Sequence, residues 1–150
     1  MVSAAIRPPA VAGAFYPGDA QSLADGVCRL LAGAIPEAPA PKALIVPHAG
    51  YVYSGGTAAA AYRLLRPIRS LVRRVILLGP AHRVAVRGLA VPAAAYFSTP
   101  LGAVPIDRDA LAALTDLPQV VVSDAAHAPE HSLEVQLPFL QTALADFRLV

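Results

Sequence analysis

Two short apolar runs of the same design constrain this chain more than any other feature. Lys42-Ala-Leu-Ile-Val-Pro47 and Arg74-Val-Ile-Leu-Leu-Gly79 carry no polar residue inside them, and a histidine follows each closely, His48 and His82. An apolar run without alternation, bounded by turn residues, is the pattern of a strand covered on both faces. Residues 88–92, 119–122 and 147–150 repeat it more weakly. Helical periodicity lies between: Leu23, Val27, Leu30 and Leu31 share one face of a helix over 21–32. Further helices are expected over 55–65, over 106–114 with Asp107 near the start, and over 132–145, interrupted by Pro138. Strands alternating with helices predict an α/β fold: a largely parallel or mixed sheet flanked by helices on both faces. The first twenty residues read as an extended arm, and 35–41, with Pro36, Pro39 and Pro41, as a connector. The expected organisation is a single domain over 1–150. A strand begins at 147 and meets the last residue, so the expectation is the N-terminal part of a longer domain.

Composition closes off several classes. Of 150 residues, 56% are hydrophobic and 15% charged, which excludes a disordered chain. The single cysteine, Cys28, excludes a disulfide scaffold and reads as a small residue packed at a helix edge. Mean hydropathy is +0.54, much of it from alanine. Arg, Pro, Gly or Asp interrupts every apolar stretch before the roughly 18 residues a spanning helix needs. Pro8 and Pro9 stand where a signal peptide would carry its apolar helix, so a cytoplasmic protein is expected, with no membrane partner. Net charge is +2 and the isoelectric point about 9.0. The one tight basic group, Arg69, Arg73 and Arg74, reads as a solvated face, and no nucleic-acid partner is expected.

Chemistry is expected where the strands end, because open α/β sheets bind ligands outside the carboxyl ends of their strands. His48 sits in Pro47-His48-Ala49-Gly50-Tyr51 and His82 in Gly79-Pro80-Ala81-His82, both tight Gly/Pro loops. On neighbouring parallel strands the two imidazoles would share one rim and could share a metal. A catalytic metal usually takes three protein ligands, and two histidines with a carboxylate suit non-haem iron. A third cluster, Asp124-Ala-Ala-His127-Ala-Pro-Glu130-His131-Ser132-Leu133-Glu134, ends a strand and opens a helix. His131 suits proton transfer at this rim. Ser132 is expected to cap the helix and Glu134 to favour its first turn electrostatically. Tyr51 and Tyr53 flank the first histidine loop and either line a pocket or pack. His127-x-x-x-His131 is not a zincin motif, since Pro129 intervenes and its glutamate is missing. Neither phosphate-loop motif and no nucleophile elbow occurs. Ser54-Gly55-Gly56-Thr57 opens the helix predicted over 55–65 and offers a weak anion site.

These clusters resemble the Memo family, whose prokaryotic members are called AmmeMemoRadiSam system protein B. The resemblance rests on four motifs in family order: Ala12-Gly-Ala-Phe-Tyr-Pro17; Pro47-His-Ala-Gly-Tyr51 with Tyr53-Ser-Gly55; Leu78-Gly-Pro-Ala-His82; and Glu130-His-Ser-Leu-Glu-Val-Gln-Leu-Pro138. It implies a fold similar to the catalytic domain of class III extradiol dioxygenases. It implies His48 and His82 as metal-site histidines, iron or copper as the metal, and His131 as an acid/base or substrate contact. It also implies that a further metal-site position lies beyond this sequence. Tyr51, Tyr53, Glu130 and Glu134 are the expected pocket residues. AMMECR-like and radical-SAM proteins of the same system, and an unidentified small molecule or peptide, are the implied partners. The first expectation is a metal-dependent oxidoreductase; the alternative is a non-catalytic adaptor using the cleft to hold a peptide or protein. A zinc-type hydrolase ranks third.

Overall fold

The computed structural model describes residues 5–33 and 38–150. The start of the expected arm and residues 35–37 of the expected connector lie outside the described residues. The molecule is mixed α/β, with small sheets rather than one continuous wall. β1 (Ile6–Arg7) runs parallel to β4 (Tyr96–Thr99), which pairs antiparallel with β5 (Gly102–Pro105). β2 (Arg74–Val75) pairs in parallel with β7 (Arg148–Leu149), and β3 (Leu89–Val91) with β6 (Val120–Val122). A parallel bridge between Ile106 and Leu149 joins the first pairing group to the second.

Expected and observed elements differ for identifiable reasons. β3, β6 and β7 form where the apolar runs stand. The run over 42–47 joins no strand, while the run over 74–79 forms a strand only at Arg74–Val75, against β7, with the Leu77 amide donating once more to the Val150 carbonyl. The β4–β5 hairpin was not expected from the sequence. Its strands mix polar and apolar residues, and its turn depends on Gly102 at φ +118°, a conformation that disfavours side chains.

α1 (Ala20–Leu31) follows its periodicity: Leu23, Val27 and Leu31 are buried, and Asp19 accepts from the Gln21 and Ser22 amides as N-cap. Cys28 is exposed on it. α2 (Tyr51–Tyr62) starts a turn before the expected helix, with Gly50 as N-cap, and a 3-10 turn over 63–68 extends it. Ser54 donates its amide to the Gly50 carbonyl, so 54–57 lie inside the helix and their amides do not form the expected anion site. α3 (Arg108–Ala112) is capped by Asp107, and the short α4 (Asp124–His127) by Ser123. The expected helix over 132–145 divides into a 3-10 turn over 134–136 and α5 (Leu137–Ala143), with Pro138 in the first turn, where its missing N–H is tolerated. No helix among the described residues is long and apolar enough to cross a membrane.

α1, α2 and α5 meet over a core that includes Leu23, Val27, Ala59, Tyr62, Leu137 and Phe139. Tyr62 stacks on Phe139 with ring centroids 5.2 Å apart. Each large apolar side chain fully buried here contributes about 1.5–3 kcal/mol. Beside this core lies a buried ion pair. Arg7 is 6% exposed and Glu134 1%. The Arg7 guanidinium donates to Glu134, to the His127 carbonyl at 3.0 Å and to the Glu130 carbonyl. Glu134 also accepts from the Ala10 and Val11 amides, at 2.7 and 3.0 Å, and from the Tyr16 hydroxyl. Burial, reinforced by the bond to Glu134, pushes the Tyr16 hydroxyl far above its ordinary pKa. The carboxylate therefore pins the N-terminal arm and does not merely complement a helix dipole. Breaking such a pair leaves a buried charge uncompensated, so Arg7→Ala is expected to cost about 3–5 kcal/mol in a urea denaturation series. A loss below about 1 kcal/mol would mean that the arm holds without it.

Candidate functional site

Three histidines from three separate loops converge on one point. The potential ligand atoms of His48, His82 and His131 all lie within 4.8 Å of one another. Ring centroids are 5.2 Å apart for His48 and His82, 4.7 Å for His82 and His131, and 6.0 Å for His48 and His131. His82 and His131 stack with only 16° between their planes. Phe15 lies against the His131 ring at 4.7 Å.

The loops converge because the segment 130–136 binds each of them. Glu130 is the main anchor. Its carboxylate accepts from the His82 amide, from the His82 Nδ1 at 2.9 Å, and from the His131 and Ser132 amides at 2.8 and 2.9 Å. The His131 Nδ1 lies 3.3 Å from the same oxygen. The Ser132 hydroxyl donates to the Pro80 carbonyl at 2.8 Å, so it ties down the His82 loop and is not the expected helix cap. The Gln136 amide nitrogen donates to the Pro47 carbonyl at 3.1 Å, while its oxygen accepts from the Tyr62 hydroxyl at 2.9 Å. Tyr51 closes the remaining side: its hydroxyl donates to the Val135 carbonyl at 2.8 Å and its amide to the Phe15 carbonyl at 2.7 Å. Gly79 permits the close approach. A Cβ there would stand 2.8 Å from both the Leu133 Cδ2 and the Ser132 Oγ.

Electrostatics follow from these bonds. Burial alone would raise the Glu130 carboxyl, but the N–H groups of His82, Ser132 and His131 outweigh it and hold the pKa down to about 2. Burial lowers His131, against the Glu130 charge that would raise it, and the His82 and His48 rings lower it further. The His131 ring is therefore held toward its neutral form, with a lone pair available. The His82 Nδ1 lies 2.9 Å from the Glu130 carboxylate, and a carboxylate at the second ring nitrogen is the usual support for a metal-binding imidazole.

Expected site residues divide four ways. His48, His82 and His131 meet. Tyr53, exposed, borders a cavity of about 570 Å³ with Phe15, Pro47, His48 and His131. Glu130 sits beneath the imidazoles with its oxygens already occupied. Tyr51 packs on Phe139 at 4.8 Å, and Glu134 faces Arg7 and Tyr16; these two do not border that cavity. His127 is buried, with Nε2 3.1 Å from the Ala90 carbonyl, and belongs to the interior. Phe15, Ser132 and Gln136 were not anticipated as site residues. A polar Gln136 inside the apolar run 135–140 was the available signal, because a buried amide needs partners.

A donor set of three imidazoles fits a transition metal. Imidazole suits zinc, copper, iron and nickel, and three protein ligands with an open position is the catalytic pattern. Among the described residues no two-histidine, one-carboxylate set is assembled, since Glu130 spends its oxygens on N–H donors. Removing that carboxylate tests the framework: Glu130→Ala is expected to raise amide exchange at His82 and Ser132 more than tenfold while Leu23 and Val27 keep their protection. Unchanged exchange at His82 would show that the loop is held without Glu130.

Comparison with known proteins places the chain among relatives. Residues 7–150 match the family model described as Memo-like protein. A MEMO1 family protein of Aquifex aeolicus is 42% identical over 147 residues, covering 97% of this chain and 53% of that protein. One from Ignicoccus hospitalis is also 42% identical, covering 97% and 55%. One from Thermotoga neapolitana is 36% identical, covering 97% and 56%. The chain spans about half the length of the curated relatives it matches.

Proposed function

The chain belongs to the Memo family, and from that premise we propose that its histidine cluster holds one transition-metal ion, iron or copper, for redox chemistry on a small molecule. The observation that carries this reading is the convergence of His48, His82 and His131 within 4.8 Å. The buried carboxylate directed at the His82 Nδ1 supports it. The ion would supply one-electron chemistry and Lewis acidity at the rim. His48, His82 and His131 would hold it, while Glu130 fixes the His82 ring and its loop. Phe15 and Tyr53 would form the aromatic walls against which a planar substrate lies. The proposed setting is the AmmeMemoRadiSam system, with AMMECR-like and radical-SAM proteins as partners and a dioxygenase-like fold; family membership is the support for these.

The test is elemental analysis and competition titration after anaerobic loading with Fe(II) or Cu(II). His48→Ala and His82→Ala are each expected to lower affinity at least about 100-fold, and Glu130→Gln about 10–100-fold. Undiminished metal stoichiometry in both histidine variants would overturn the reading in favour of a cleft that binds a peptide or protein. Metal lost with His131→Ala makes His131 the third ligand; metal retained with catalysis lost makes it the proton-transfer residue.

A further inference from the structure

The three imidazoles are not held in the same way. The His82 Nδ1 lies 2.9 Å and the His131 Nδ1 3.3 Å from the Glu130 carboxylate. Among the described residues the His48 ring makes no hydrogen bond and no ion pair; it meets the rings of His82 and His131. Its position therefore depends on the backbone of its own loop. The Tyr51 amide ties the far side of that loop to the Phe15 carbonyl. On the near side, the carbonyl of Pro47, the residue directly before His48, accepts from the Gln136 Nε2 at 3.1 Å. Gln136 is 4% exposed, and both ends of its amide are used. Nε2 also donates to the Ser132 carbonyl at 3.4 Å, and Oε1 accepts from the Tyr62 hydroxyl at 2.9 Å. Carbonyl oxygens only accept, so the two of them fix the NH2 end of the amide, and the hydroxyl fixes the oxygen end. Tyr62 is itself buried and stacked on Phe139 with 6° between the ring planes. Burial pushes its hydroxyl well above the ordinary tyrosine range, so it stays a donor.

The same turn holds the other loop. The Ser132 hydroxyl donates to the carbonyl of Pro80, two residues before His82. Residues 131–136 coil, since the Val135 amide donates to the His131 carbonyl and the Gln136 amide to the Leu133 carbonyl. Side chains four residues apart on a helical turn have Cβ atoms about 5–6 Å apart. The His48 and His82 ring centroids are 5.2 Å apart. We propose that Gln136 is the positioning residue of His48: the chain Tyr62–Gln136–Pro47 holds its loop, and Ser132 and Gln136 together set the separation of His48 and His82. A side chain of the same length without the amide would leave the Pro47 carbonyl and the Tyr62 hydroxyl without their partner. The consequence, a donor set spaced before an ion arrives, rests on the metal reading above. The spacing itself belongs to the metal-free chain, and the packing of α2 on α5 reaches His48 through it.

The test reads nuclear Overhauser contacts between imidazole ring protons in the metal-free chain, followed by competition titration with Cu(II). Gln136→Met keeps the length of the side chain and removes its amide. It is expected to lose the His48–His82 contact while the His82–His131 contact stays. Ser132→Ala is expected to weaken the His48–His82 contact from the other side and leave His48–His131 unchanged. Tyr62→Phe keeps the ring on Phe139 and deletes only the hydroxyl; it is expected to weaken the His48–His82 contact, and it decides the matter if Gln136→Met does not fold. Cu(II) affinity is expected to fall about 10–100-fold in Gln136→Met with circular dichroism retained. A His48–His82 contact that persists unchanged in folded Gln136→Met, or in Tyr62→Phe where that variant does not fold, would overturn the proposal. Loss of all three ring contacts together would also overturn it, because it would mark a general loosening and not the His48 loop. The selective loss, with no Cu(II) uptake by the native chain, would support the positioning and count against the metal reading alone.

Discussion

A buried guanidinium organises this structure. Arg7 reaches across more than a hundred residues of sequence to bind the carbonyls of His127 and Glu130 and the carboxylate of Glu134. Those contacts hold the turn between α4 and α5 in shape. The turn in turn presents Glu130 to the His82 loop, Ser132 to Pro80 and Gln136 to Pro47. Isolating an arginine and a glutamate from water is costly and is tolerated only where hydrogen bonds satisfy both. Here they do: among the described residues, every buried side-chain polar atom has a partner.

The same logic explains why three loops with little regular structure of their own form a defined cluster. Each histidine is held by contacts to its neighbours in the chain and to one shared segment. His82 is fixed through its backbone amide as well as its ring, and the His48 loop through the Pro47 carbonyl and the Tyr51 amide. Glycine at 79 lets the end of the 74–79 run approach the turn closely enough for the Ser132–Pro80 bond. Positioning by buried polar bonds gives a preformed arrangement, which is what a binding site on loops requires.

Much of this was legible in the sequence where the determinant is local. The α1 face, the Asp107 start of α3, the strands over 89–91 and 120–122, and the placement of His48 and His82 after apolar runs all follow from periodicity and turn chemistry. What was not legible depends on partners distant in the chain. Nothing within a few residues of Glu134 indicates that it binds Arg7 and Tyr16 rather than completing a helix start. Ser132 looks like a cap because the sequence does not show Pro80 beside it. The runs over 42–47 and 74–79 carry the pattern of strands buried on both faces, yet their neighbours in this chain satisfy one side. Pattern specifies the environment a strand is suited to, and pairing specifies whether the chain supplies it.

The central claim is that His48, His82 and His131 form one donor set. X-ray absorption spectroscopy of the Cu(II)- or Fe(II)-loaded chain tests it most directly. The account predicts a single site whose multiple-scattering pattern requires three imidazoles, with nitrogen at about 2.0–2.1 Å by analogy with zinc–imidazole bonds. A spectrum fitted by one imidazole or none would contradict it.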